Sequence, residues 1–118
     1  ESYKELVVWQ KAMVLVRDVY SITKLFPREE LYGLTSPMRR AAISISSNIA
    51  EGQSRFLPKE FHHFLSNARG SLMEVETQTL IAEDLGYISS NLNDEVLTKT
   101  AELGRMLNGL ISSIRPAA

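Results

Sequence analysis

The chain has no cysteine at any of its 118 positions, which excludes a disulfide framework and a thiolate metal site. It also lacks the roughly 20-residue apolar run that a membrane-spanning helix needs. Its first residues, Glu1-Ser2-Tyr3-Lys4, have none of the features of a secretory signal. A soluble, cytoplasmic protein with no membrane partner is the expectation. No segment alternates apolar and polar residues over a strand's length, so no β-strand is expected. Strong positive charge is missing too: the formal net charge is -1, without the bulk basic field typical of nucleic-acid binders. The charge is uneven, however. Residues 1–56 hold eight Lys/Arg against six Asp/Glu, giving +2, and residues 57–118 hold five against eight, giving -3. Any phosphate recognition would therefore use a local basic face.

What is present is helical periodicity. With 44% hydrophobic residues, the chain can bury a core as one domain over residues 1–118. Helices are expected over roughly 3–26, 36–54, 58–85 and 93–114, joined by short loops. The first begins at Ser2-Tyr3-Lys4-Glu5, which has capping-box spacing, and ends before Pro27. Its apolar face runs through Val8, Trp9, Ala12, Val16, Val19, Tyr20, Thr23 and Phe26. Trp9 is expected in the core with its indole nitrogen near a bundle end. Thr35 or Ser36 caps the second helix, with Pro37 in its first turn.

Met38 to Gly52 is rich in small and hydroxylated residues. Met38, Ala42, Ile45 and Ile49 centre on one face there, and Asn48 sits at the core edge, with Glu51 or a neighbouring helix as its expected partner. Pro58 opens the third helix, whose stripe of Phe61, Phe64, Leu65, Ala68, Leu72, Val75, Thr79 and Ala82 ends at Asp84-Leu85-Gly86. Gly70, opposite that stripe, costs about 1 kcal/mol relative to alanine and suggests close approach of another backbone. Asn93 with Asp94-Glu95 caps the fourth helix, its stripe is Val96, Thr100, Leu103, Leu107, Leu110, Ile111 and Ile114, and Pro116 marks its end. The expected fold class is all-α, an antiparallel up-down-up-down four-helix bundle.

Taken in order, several segments resemble one family: Val8-Trp9-Gln10-Lys11-Ala12, Phe26-Pro27-Arg28-Glu29-Glu30-Leu31-Tyr32-Gly33-Leu34-Thr35, Arg39-Arg40-Ala41-Ala42, Ser47-Asn48-Ile49-Ala50-Glu51-Gly52 and Ala68-Arg69-Gly70-Ser71-Leu72-Met73-Glu74. The family comprises bacterial four-helix-bundle proteins encoded by intervening sequences of large-subunit ribosomal RNA genes. The chain departs from its pattern at Pro37, where glutamine is common, at Ser46, where a proline often bends the second helix, and at Leu57, where a serine would cap the third. The resemblance implies a ring-like homopentamer. A further similarity, to the accessory protein of diversity-generating retroelements, implies RNA or a nucleic-acid-processing protein as partner. Neither relative implies an enzymatic activity.

Three functional readings follow. A non-enzymatic homo-oligomeric scaffold or adaptor is suggested by apolar residues off the core faces: Val7, Val14, Leu25, Ile43, Met73, Leu80 and Ile81. Nucleic-acid binding would use Arg39 and Arg40, with Lys11, Arg17, Arg55 and Arg69, since the guanidinium fork matches phosphate. Against it, an arginine of the pair can equally serve an ion pair, for instance with Glu51 or Glu74. A carboxylate-histidine metal site would start from Glu60 and His63, which have Glu-x-x-His spacing. A di-iron bundle needs a second such copy plus two glutamates, and the sequence has only two histidines, so no cofactor and no metal ligand is expected. No serine of the second helix has a histidine at a motif spacing that would make it a nucleophile.

Overall fold

A computed structural model describes residues 2–114. Four helices pack into an elongated body of 47 × 25 × 22 Å: α1 (Val7–Thr23), α2 (Ser36–Gln53), α3 (Pro58–Asp84) and α4 (Ser90–Ser113). No strand occurs among the described residues. Each helix packs on its sequence neighbours, and α1 also meets α4, so α1 and α3 lie diagonally across the bundle. Residue pairs across the seams run in opposite directions. Lys11 pairs with Glu102 and Asp18 with Lys99; Glu76 accepts from Thr100, while Leu72 lies against Gly104. The bundle is therefore antiparallel, up-down-up-down.

The core is one cluster in which Leu15, Met38, Ile45, Ile49, Leu65, Leu72, Leu103 and Leu107 are at most 1% exposed. Met38, Ala42, Ile45 and Ile49 fall on the predicted side of α2, as do Leu65, Ala68, Leu72, Val75, Thr79 and Ala82 on α3. The stripe on α1 runs through Val8, Ala12, Leu15, Val19 and Ile22. Leu15 and Ile22 were thus absent from the sequence reading. Tyr20, assigned to that stripe, lies one residue past Val19 and is exposed.

The helix ends depart most from expectation. Ser2 caps only a 3-10 turn, Tyr3–Glu5, by accepting from the Lys4 amide at 3.2 Å. The extended Leu6 then delays α1 to Val7. Its other end comes at Thr23, four residues before Pro27, because the Leu25 and Phe26 amides tighten onto the Ile22 and Thr23 carbonyls. Neither Thr35 nor Ser36 caps α2. A 3-10 turn, Arg28–Glu30, and a π-helical turn, Leu31–Thr35, feed it directly, with Pro37 in its first turn. Ser89 caps α4 by accepting from the Leu92 amide at 3.2 Å, so the helix starts three residues before Asn93, which is buried instead.

Leu57 precedes α3 without a side-chain cap bond. At its C-terminus Gly86 takes φ 79°. The Tyr87 amide reaches the Ala82 carbonyl at 2.8 Å and the Gly86 amide reaches Glu83 at 2.9 Å, which closes the helix as a Schellman motif. Among the described residues no atom stands within 4 Å of a Cβ built on Gly70, so the close approach predicted there does not occur among them. Pro116 lies outside the described residues.

Candidate interaction surfaces

Six cationic residues stand as phosphate-binding candidates, and the structure sorts them by what holds their side chains. Arg39 is structural. Its Nε donates to Thr23 Oγ1 at 2.8 Å, its Nη2 reaches the Tyr20 carbonyl at 3.4 Å, and its guanidinium lies 4.5 Å from the Tyr20 ring centroid. Thr23 Oγ1 in turn donates back to the Val19 carbonyl at 2.7 Å. A cation beside the last carbonyls of α1 meets the negative end of that helix, so Arg39 joins α2 to the end of α1.

Lys11 pairs with Glu102 at 3.3 Å. Arg55 pairs with Glu51 at 2.6 Å and covers the Phe64 ring at 4.8 Å. Glu51 thus answers Arg55 and not the arginine pair. Arg17, Arg40 and Arg69 are exposed and make no ion pair among the described residues. They sit on α1, α2 and α3.

Arg40 lines a groove of about 260 Å³ at the α2–α3 seam, together with Pro37, Ala41, Ser44, Ser71 and Glu74. Small residues bring these helices together. Ser44 Oγ and Ser71 Oγ are 2.8 Å apart, and Asn48 donates to the Ser44 carbonyl and hydroxyl at 2.8 and 3.0 Å. Asn48 therefore bonds within its own helix and not to Glu51. A Cβ on Gly52 would come within 2.9 Å of Phe61 Cδ1 and 3.0 Å of Phe64 Cβ, so a side chain at 52 would displace α3.

The apolar residues assigned to an interface all reach solvent. Val14 at 36% is the least exposed and Leu25 at 57% the most, with Val7, Ile43, Met73, Leu80 and Ile81 between. Sequence periodicity missed others that lie in a single π-helical turn or a loop, too short to show a period: Tyr32 is 85% and Phe56 98% exposed. An apolar groove, 430 Å³, opens where the start of α1 meets the end of α4, between Val7 and Met106.

Glu60 and His63 do not assemble a metal centre. No group of three or more His, Asp or Glu side chains converges among the described residues. His63 packs edge-on against Phe64, with ring centroids 5.7 Å apart, and lies 3.4 Å from Asn67 Nδ2. Among the described residues, no helix is long and apolar enough to cross a membrane.

No curated relative matches the chain. A solved structure of a protein of unknown function from the S23 ribosomal protein family of Bacteroides thetaiotaomicron superimposes with a TM-score of 0.83, covering 90% of this chain and 96% of that one at 20% identity. That similarity shows a shared fold. The sequence itself matches the profile of the 23S rRNA-intervening sequence protein family over residues 4–109, and the chain belongs to that family.

Proposed function

We propose that the protein is a non-enzymatic, self-associating helical scaffold, with copies of itself as its first partner. The observation that carries this reading is the set of apolar side chains on outward faces of α1, α2 and α3. Val14, Ile43, Met73 and Leu80 are 36–48% exposed although the core is complete without them. Scattered surface hydrophobes are ordinary. Here they stand on three successive helices outside the core cluster, and symmetric homomers are the usual way soluble proteins cover such surfaces. Five copies in a ring is the subunit number the family resemblance implies. Sedimentation equilibrium tests the reading: Met73→Glu combined with Leu80→Glu lowers the assembly order while far-ultraviolet circular dichroism keeps its helical signal. Unchanged order in that variant refutes the α3 face as an interface.

A nucleic-acid role for the assembled scaffold is favoured by one observation, the exposed Arg40 guanidinium beside the Ser44 and Ser71 hydroxyls. Symmetric assembly repeats such a contact and multiplies its affinity. RNA binding through it weakens with added salt and is lost in Arg40→Ala but not in Arg17→Ala. Salt-independent binding, or equal loss in both variants, contradicts this contact.

A further inference from the structure

Two opposite faces of the bundle carry opposite charge beside exposed apolar side chains. From Val7 to Lys24 the exposed residues include Val7 and Val14, and the only charged ones are Arg17 and Lys24. Lys11 and Asp18 of the same helix turn toward α4, where they pair with Glu102 and Lys99. From Met73 to Asp84 the exposed residues include Met73, Leu80 and Ile81, and the only charged ones are Glu74 and Asp84. None of these four exposed charges makes an ion pair among the described residues. Because α1 and α3 are diagonal in the bundle, their outer faces point away from each other. The described part of α4 exposes no large apolar side chain.

We propose that the outer face of α1 in one copy docks on the outer face of α3 in the next, head to tail. The inference rests on the self-association reading and names the two surfaces that meet. A face that is positive cannot pair well with itself, and neither can one that is negative, whereas each complements the other. Two different faces on opposite sides of one subunit make a heterologous contact, the kind that repeats around a closed ring. The directions agree as well. Phe26 packs on Tyr87 with ring centroids 5.6 Å apart, so α1 and α3 run the same way and finish at the same end of the bundle. In a ring whose axis follows the bundle, α1 therefore meets its neighbour's α3 in parallel. With Arg17 opposite Glu74, Lys24 comes level with Ile81, three residues or about 4.5 Å short of Asp84, a gap its flexible side chain spans. Gly70 lies on this α3 face one turn before Met73 and Glu74. Glycine is a poor helix residue, and the open space beside it lets the neighbouring helix come close.

Native mass spectrometry and sedimentation equilibrium on the full chain test this with two variants mixed together. Val14→Glu with Arg17→Glu disables the α1 face, and Met73→Glu with Leu80→Glu disables the α3 face. Each alone is expected to be monomeric with its helical circular dichroism kept, because every substituted side chain is exposed within the subunit. An equimolar mixture is expected to form a one-to-one heterodimer and stop there, since one intact α3 face meets one intact α1 face and no further faces remain. A charge swap tests the register. Removing one rim charge, as in Arg17→Ala, leaves the apolar contact standing. Arg17→Glu sets like charges opposite and is expected to weaken association by about threefold to tenfold per contact, and Arg17→Glu with Glu74→Arg to restore it. If the wild type assembles while the α1-face variant assembles equally well, or the mixture stays monomeric, the α1-to-α3 contact is refuted and the scaffold reading stands. A wild type that is monomeric refutes both.

Discussion

Arg39 separates what an arginine does for a fold from what it does for a ligand. Its hydrogen bonds to Thr23 and the Tyr20 carbonyl and its stacking on the Tyr20 ring tie α2 to the end of α1, while Arg40, one residue on, is exposed. Arg39→Ala is expected to lower stability by about 1–2 kcal/mol in urea titration, from lost hydrogen bonds and cation–π contact; Arg40→Ala stays within about 0.5 kcal/mol of wild type, as surface substitutions do.

Tyr87 has a shifted titration. Its hydroxyl donates to Glu30 at 2.7 Å, and that bond, with partial burial and the negative charges of Glu30 and Glu29, raises its pKa above the ordinary 10.0. A raised folded-state value means that the stabilisation is complete below about pH 10 and is lost as pH rises through the folded value. Tyr87→Phe removes this alkaline loss, so stability curves of the two proteins measured between pH 8 and 11.5 converge at the alkaline end. Neither role was legible in the sequence. Thr23 is sixteen residues from Arg39 and Glu30 is fifty-seven from Tyr87, and no local pattern records such pairs.

At the scale of the element, α2 is the helix whose packing could be read most fully in advance. Its predicted core face, Met38, Ala42, Ile45 and Ile49, is fully buried, while Ile43 on another side is exposed. Periodicity on α1 was less selective, because apolar residues surround that helix and the stripe through Leu15 and Ile22 is one choice among several. Helix starts were less legible still. Ser2 and Asn93 have the right residue types for caps, but the extended Leu6 and the alternative cap at Ser89 decide where α1 and α4 begin. The close α2–α3 seam leads to a sharper prediction. Gly52→Ala places a methyl group against Phe61 and Phe64, and overpacking of this kind costs about 1–3 kcal/mol, partly offset by the better helix propensity of alanine. Thermal unfolding should show a lower melting temperature; an unchanged or higher one would mean that the two phenylalanines yield freely.

For the whole molecule, the outward apolar residues were legible because they recur at helical spacing on elements whose core faces were already assigned. Phe56 and Tyr32 were not, since a loop and a single π-helical turn are too short to show a period from which exposure can be inferred. The six cationic candidates, read together as a basic face, divide in the bundle into three with internal partners, Lys11, Arg39 and Arg55, and three on different helices. Assembly is therefore what would turn this subunit's surface into a larger binding face, and the scaffold reading depends on it. The most direct test is native mass spectrometry of the unmodified chain, followed by light scattering from low to high micromolar concentration. The account predicts a discrete homo-oligomer that persists on dilution into the low micromolar range. A monomer at high micromolar concentration would contradict it.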